Sequence, residues 1–153
     1  MKKFICIILT MTVGLLTLVG CASKDKDITI DISALAGDLT SKIEYQDELT
    51  KIEGSSVESI YQIDYAVSSE VYVSSGATAE EVAVFELKDK SEADNAYKAA
   101  EERISAQKQA FESYVPEEME KLDNAVIKKI DKYVIVCVAN DNTAEEIIET
   151  YTK

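Results

Sequence analysis

Apolar residues recur at helical spacing in two long segments of the chain. Leu35, Leu39 and Ile43 repeat every four residues and predict a helix that Ser33 caps at its start. A longer stripe predicts a helix of about six turns over residues 91–114, ended by Pro116. The stripe alternates spacings of four and three residues: Ala93, Tyr97, Ala100, Ile104, Gln107, Phe111 and Tyr114.

Shorter helices are predicted around these two. Ser91 and Asp94 resemble a capping box for the long helix, and Asn142 and Glu145 resemble one for a last helix near the C-terminus. Residues 117–122 predict a short helix opened by Pro116. The segment 45–63 is ambiguous, with a turn at 54–56 and a short helix as one reading of 57–61.

Four segments have the character of β-strands. Residues 67–74 and 81–87 are rich in Val and are joined by a turn at 75–79. Residues 125–130 and 133–139 form a second pair, joined by a turn at Asp131 and Lys132. The stretch 133–139 is apolar throughout, as in a central strand that is buried on both faces.

The order of these elements predicts the fold class. We expect one α+β domain over residues 31–153, with a small antiparallel sheet of about four strands. One long and several shorter helices are expected to pack on a single face of that sheet.

The N-terminus has the layout of a secretory signal peptide over residues 1–20. Lys2 and Lys3 precede an apolar run of about sixteen residues, shorter than the roughly twenty that a bilayer-spanning helix needs. Leu18, Val19, Gly20 and Cys21 together resemble the bacterial lipobox. That resemblance implies cleavage before Cys21 and attachment of diacylglycerol to its thiol.

Lipidation of Cys21 would anchor the protein to the cell membrane, outside the cytoplasm, since two acyl chains give stable attachment. Residues 21–30 then comprise the lipidated cysteine and a short tether. The alternatives are an ordinary signal cut after Ala22, which would release the protein, and an uncleaved anchor.

The charge of the chain argues against nucleic acid as a partner. The full sequence carries a formal charge of −13. Removal of Lys2 and Lys3 with the signal leaves fourteen Lys and Arg against twenty-nine Asp and Glu, a charge of −15. Nucleic-acid binding requires clustered cations, so the acidic surface favours solubility and, weakly, cationic partners.

The residue types needed for common catalytic and metal sites are scarce. Histidine is absent, which excludes His-based triads and most zinc sites. Cys137 is the one cysteine left after the signal and the lipid, and it reads as a small core residue. Ser105 and Lys108 match a serine–lysine pattern, but the companion motifs are missing and the pair lies inside the long helix.

The many carboxylates give no catalytic pattern, since twenty-nine acids make adjacent pairs unavoidable. Asn140, Asp141 and Asn142 are oxygen-rich but lack the twelve-residue calcium loop, and a polar turn before a capped helix explains them. We therefore predict no catalytic residue, no metal ligand and no cofactor.

A loop on the first strand pair is the candidate for binding a ligand or a partner. Ser75, Gly76 and Thr78 lie in the predicted turn, where backbone amides can be presented, and Glu80 follows them. Tyr72 lies just before the turn and has the mixed polar and apolar character that interfaces favour. The competing interpretation is a hairpin turn that simply requires glycine.

Two parts of the chain resemble a known family. They are the block from Gly76 to Phe85, which begins Gly-Ala-Thr-Ala-Glu-Glu, and Tyr114-Val115-Pro116 with Leu122 and Ala125. With the lipobox, they resemble a family of small lipoproteins from Gram-positive bacteria known as domain of unknown function 4358. The resemblance implies one lipid-anchored domain, and it brings no activity, cofactor or site residue.

These observations lead to a ranked expectation for function. The first is a non-catalytic binding or accessory module, held by Cys21 in the membrane and contacting another envelope protein of unknown identity. The alternative is a receptor domain for a small ligand or a cation. A small cell-wall hydrolase is a remote third.

Overall fold

The computed structural model describes residues 28–153. The predicted signal peptide at residues 1–20 and the predicted lipid site Cys21 lie outside the described residues, as does most of the tether. The domain predicted from residue 31 onward falls within them.

Five helices and five strands are described, and a short 3₁₀ helix at Pro116–Glu118 precedes the fourth helix. The helices are α1 (Ile32–Lys42), α2 (Ser55–Tyr61), α3 (Lys90–Tyr114), α4 (Met119–Asp123) and α5 (Thr143–Thr150). The strands are β1 (Thr50–Ile52), β2 (Ser68–Val73), β3 (Glu81–Glu86), β4 (Val126–Ile130) and β5 (Tyr133–Val138).

The strands form one antiparallel sheet in the order β1-β2-β3-β5-β4, which confirms the α+β class. The sheet has one strand more than the four predicted. The additional strand, β1, is three residues long and lies at an edge with its side chains largely exposed. Since neither length nor alternation marks it, the hydrophobic pattern did not reveal it.

Helices cover both faces of the sheet, so the expectation of helices on a single face is wrong. Val82 and Val84 of β3 pack in a core with α1 and α5, whereas Ala83 and Phe85 pack in a second core with α2, α3 and α4. Alternate residues of a strand point to opposite faces, and here both sets are apolar and fully buried. A strand of that kind requires a layer of helices on each side.

The helix caps lie earlier in the sequence than predicted. Asp31, not Ser33, caps α1 by accepting a hydrogen bond from the Ala34 amide. Asp89, not Ser91, caps α3 by accepting one from the Glu92 amide. A carboxylate satisfies the free amides of a first turn and also complements the helix dipole.

The end of α2 offers a stabilising substitution. Gln62 follows α2 with a φ of 56°, in the left-handed region, and its side chain is exposed. Glycine adopts this conformation without the steric penalty of a β-carbon. We expect Gln62→Gly to raise the free energy of unfolding by about 0.5–1 kcal/mol in urea denaturation. Gln62→Ala, which keeps a β-carbon, should show no comparable gain, and an equal gain in both variants would contradict the explanation.

The sheet has two ends with different neighbours. We call the end of the sheet near residues 28–29, where the described chain begins, the entry end. Residues 28–29 line one surface depression there together with Lys88, Lys90 and Lys132. We call the opposite end of the sheet, which contains the turn at residues 74–80 between β2 and β3, the distal end. Glu86 pairs with Tyr133 at the entry end, and Glu81 pairs with Val138 at the distal end. The six residues of β3 therefore separate the two ends by about 20 Å.

None of the helices within residues 28–153 combines the length and the apolar character needed to cross a bilayer.

Candidate functional site

A buried ion pair joins the start of β3 to the middle of α3. The Glu81 side chain is fully buried, and its Oε2 accepts hydrogen bonds from Arg103 Nη2 at 2.8 Å and from Nε at 3.3 Å. Gln107 Nε2 donates to the same oxygen at 3.2 Å, and the Tyr61 hydroxyl donates to Oε1 at 2.5 Å. Arg103 and Gln107 are four residues apart on α3, so they lie on one face of the helix.

This cluster leaves one buried polar atom unsatisfied. Because Gln107 Nε2 is directed to Glu81, its Oε1 points away from the carboxylate and has no hydrogen-bond partner among the described residues. The reversed amide would set two acceptor oxygens against each other. Gln107 is 7% exposed, and an unsatisfied buried acceptor costs about 1–3 kcal/mol.

A cavity of about 330 Å³ opens beside this cluster, between α3 and the turn at residues 74–80. We call it the cleft. Its polar lining includes Arg103, Gln107 and the residues of the turn, and its apolar lining is Ile60, Val73, Ala106, Ala110 and Phe111. The alanines are small and four residues apart on α3, so that face of the helix leaves room for an occupant.

Arg103 keeps donor groups available to the cleft. Its Nε and Nη2 serve Glu81, whereas Nη1 has no partner among residues 28–153. The side chain is 22% exposed. The cleft therefore has an available donor on Arg103 next to an apolar wall, whereas the unpaired Gln107 Oε1 is itself buried.

A second buried cluster, centred on Lys121, holds the turn at residues 74–80 in place. Lys121 Nζ lies 3.0 Å from Glu80 Oε1, 3.0 Å from Glu118 Oε1 and 3.1 Å from the side-chain oxygen of Gln46. Glu118 also accepts from the Ala79 amide at 2.8 Å. The three charged side chains are at most 6% exposed, so this cluster ties the turn to α4 and to the segment after α1.

The Glu80 carboxylate is stabilised as an anion. Burial alone raises its pKa, but the amides of Gln46 and Asp47 and the Lys121 ammonium outweigh that effect. The net result is a pKa below the ordinary value of 4.5. A carboxyl group whose pKa is lowered on folding stabilises the protein above its unfolded pKa, and this contribution is lost as the pH falls through the folded pKa.

We therefore expect a pH-dependent difference between the wild type and Glu80→Gln. The wild type should be the more stable protein at pH 7, and its advantage should shrink steadily as the pH falls below about 4.5. Urea denaturation at pH 7, 5, 4 and 3 measures the difference. An advantage that stays constant over this range would contradict the assignment.

The predicted loop residues divide between the two faces of the sheet. Ser75, Gly76, Thr78 and Glu80 line the cleft, and Gly76 has a φ of +94° that other residues adopt only with strain. Tyr72 does not line it. Its ring packs with the core on the α1 side, and its hydroxyl donates to Glu70 at 3.1 Å.

Three residues of the cleft were not singled out from the sequence. Gln107 was assigned to an apolar stripe, Glu81 to a chance pair of acids and Arg103 to no site. Their contacts join residues 22 and 26 positions apart, which no local pattern reports. The available signal was an amide side chain in an otherwise apolar stripe.

The other candidate groups have structural partners. Asp141 accepts from the Thr143 amide at the start of α5, and Asn140 donates to Glu80 at 3.4 Å. Lys108 pairs with Asp123, and Ser105 is exposed. Cys137 is buried in β5 as predicted, and burial raises the pKa of its thiol to about 11. Within residues 28–153 no group of three or more acids and cysteines is placed to hold a metal ion.

Fold and site together define a class: a small antiparallel α+β domain, covered by helices on both faces, with a cleft at one end of its sheet. The family model described as "Domain of unknown function (DUF4358)" matches residues 41–139, and the chain belongs to that family. No curated protein and no solved structure matches the chain. The matched residues include the turn, Glu80, Glu81, α3 and Lys121.

Proposed function

We propose that the protein is a non-catalytic binding module, anchored outside the cytoplasm by lipid on Cys21, which captures a ligand in the cleft. The ligand is a small molecule or a short segment of an envelope protein. The observation that carries the proposal is the cleft itself, a cavity of about 330 Å³ with an apolar wall and with an Arg103 guanidinium whose Nη1 has no partner among residues 28–153. A ligand with an acceptor group would take a hydrogen bond from that nitrogen.

The size and lining of the cleft support binding. Its volume of about 330 Å³ falls in the range of small-ligand pockets, which combine apolar walls with a few directed polar groups. The Glu81 carboxylate already accepts from Tyr61, Arg103 and Gln107. A carboxylate engaged on both oxygens is suited to orienting its neighbours rather than to exchanging protons with a substrate.

The position of the cleft fits a tethered receptor. Residues 28–29 lie at the entry end, and Cys21 precedes Ile28 by seven positions, which span at most about 25 Å. An anchor at Cys21 would therefore keep the entry end within about 25 Å of the bilayer. The cleft lies at the opposite end of the sheet.

Two measurements in cells test the proposal. The first compares wild-type protein with Cys21→Ser in membrane fractions, with Cys137→Ala as the matched cysteine control. We expect acyl mass on Cys21 and membrane retention in the wild type and in Cys137→Ala, and loss of both in Cys21→Ser. Retention of Cys21→Ser would overturn the anchor.

The second measurement places a photo-crosslinking amino acid at Ala110, which lines the cleft, or at Glu101, an exposed residue of the same helix that does not line it. A specific adduct from position 110 and none from position 101 is expected. The same products from both positions, or none from either, would overturn the cleft as the binding site.

A further inference from the structure

The sheet has an edge that is long enough to pair with another strand. β4 (Val126–Ile130) ends the order β1-β2-β3-β5-β4, and among the described residues it pairs with β5 alone. β1, at the opposite edge, has three residues against five in β4. The two-residue turn after β4 makes Ile130 and Tyr133 a hydrogen-bonded pair. Bonded pairs alternate along an antiparallel ladder, so Ile127 and Lys129 direct their N–H and C=O groups away from β5.

The outer side of β4 is left open by the rest of the domain. Within residues 28–153, no backbone group of a turn or a loop bonds to the backbone of β4. Lysine on an edge strand commonly protects it from strand addition. Here Lys128 pairs with Glu145 of α5 at 3.1 Å. Lys129 pairs with Asp94 of α3. Both lysines are thus drawn toward the helices on the two faces of the sheet, and the backbone between them stays accessible.

Two surface depressions border this edge, and Ile127 lines both of them. The first is also lined by Tyr97 of α3 and is largely apolar. The second is polar and is lined by Asp123 and by Glu145 of α5. Because α3 and α5 cover opposite faces of the sheet, an added strand would direct alternate side chains to the two depressions.

Charge favours a cationic strand at this edge over an anionic one. The Asp123 and Glu145 side chains at the polar depression are 63% and 55% exposed. Lys108 and Lys128 pair with them and leave the surface locally near neutrality, so the field of the whole chain decides. Its formal charge of −13 attracts a cationic segment and repels a second copy of the chain.

We propose that β4 binds an extended segment of a partner protein as an added strand, in which apolar residues alternate with lysine or arginine. Backbone hydrogen bonds to Ile127 and Lys129 supply the affinity. The apolar side chains pack toward Tyr97, and the cationic ones lie toward Asp123 and Glu145. Neither depression shares a lining residue with the cleft, so this surface is separate from the proposed ligand site.

The test follows backbone amide resonances by NMR in the full lipidated chain held in detergent micelles. The probe is a short peptide of alternating lysine and valine, capped at both ends and added to millimolar concentration. Three matched controls are the same peptide with every backbone amide N-methylated, a peptide of the same composition with its lysines and valines in two blocks, and an alternating peptide of glutamate and valine. The amides of Ile127 and Lys129 report on the edge, and Lys51 on β1 is the internal reference.

We expect saturable shifts of Ile127 and Lys129 with the alternating lysine peptide, while Lys51 stays unchanged. The N-methylated peptide should bind at least about tenfold more weakly, because more than one backbone hydrogen bond is lost. The block peptide and the glutamate peptide should also bind more weakly. Lys129→Pro removes one outward N–H at an edge, where proline is tolerated, and should weaken binding about fivefold. Lys129→Ala, which keeps that N–H, should bind as the wild type does.

Each remaining outcome overturns the proposal at a different point. Equal binding of the N-methylated peptide would exclude strand addition, and this comparison needs no folded variant. Equal binding of the glutamate peptide would exclude a cationic partner. Equal shifts at Lys51, or no shift with any peptide, would exclude β4 as the binding edge. Shifts of Ile127 and Lys129 that appear when the protein alone is concentrated would assign the edge to a second copy of the chain.

Discussion

Replacement of Lys121 by methionine should lower the free energy of unfolding by about 3–5 kcal/mol. Methionine keeps most of the side-chain volume, so the expected loss reflects charge rather than packing. Glu80 and Glu118 would remain buried next to each other without the ammonium group that lies 3.0 Å from each. An uncompensated buried charge is among the most destabilising changes that one substitution can make.

Urea denaturation of the full chain at pH 7 measures the effect. Lys108→Met is the matched control, because Lys108 pairs with Asp123 at 2.9 Å but both side chains are exposed, at 37% and 63%. Exposed pairs are worth less than about 1 kcal/mol. A triple variant that adds Glu80→Gln and Glu118→Gln should recover part of the loss, since no buried charge remains. Equal losses for Lys121→Met and Lys108→Met would contradict a structural role for the cluster.

The parts of the fold that the sequence predicted depend on long, regular patterns. The stripe from Ala93 to Tyr114 repeats for about six turns, and α3 spans Lys90–Tyr114. The hairpin of β4 and β5 turns at Asp131, whose φ of 54° suits a tight turn even without glycine. Both features are determined by residues that are close in sequence, so a single chain is sufficient to infer them.

The prediction was wrong about which faces of the sheet the helices cover. Residues 133–139 were predicted to be buried on both faces, which already requires a cover on each side. Residues 82–85 show the same continuous apolar character. We nevertheless expected helices on one face, because that arrangement is typical of an α+β domain. The two adjacent central strands, β3 and β5, are apolar on both faces, and this pattern indicates helices on both sides of the sheet.

Only the turn residues of the cleft could be predicted from the sequence, and the reason is physical. Ser75, Gly76 and Thr78 were found because turn residues between two strands have a local signature. Arg103 and Gln107 approach the turn only when α3 packs across the sheet, and charged residues on a long helix usually face solvent. The partner of a buried carboxylate is set by tertiary packing, which a single sequence does not report.

The second large effect is expected at the other buried carboxylate. Glu81→Gln keeps the shape of the side chain but replaces one acceptor oxygen with a donor. Arg103 would lose its buried counter-charge and, with Gln107, would donate to a neutral oxygen, while the fully buried Tyr61 hydroxyl would accept from the new amide N–H instead of donating to a carboxylate. We expect the free energy of unfolding to fall by about 3 kcal/mol, since each charge-assisted hydrogen bond contributes about 1.5–3 kcal/mol.

A double-mutant cycle with Tyr61→Phe separates this interaction from general damage. Tyr61 and Phe85 pack edge to face with ring centroids 5.1 Å apart, and phenylalanine retains that contact. If the hydroxyl stabilises the fold through Glu81, the double variant should lose about 1 kcal/mol less than the two single variants together. Glu86→Gln, on the same strand but partly exposed and paired with Lys132, should cost less than about 1 kcal/mol.

The same variant connects stability to the cleft. Glu81 holds the Arg103 guanidinium and the Gln107 amide at the wall of the cleft, and a glutamine at position 81 removes the charge that holds them. Loss of the photo-adduct from position 110 in a folded Glu81→Gln protein is the expected result. An unaltered adduct would mean that the carboxylate stabilises the domain but does not position the groups that line the cleft.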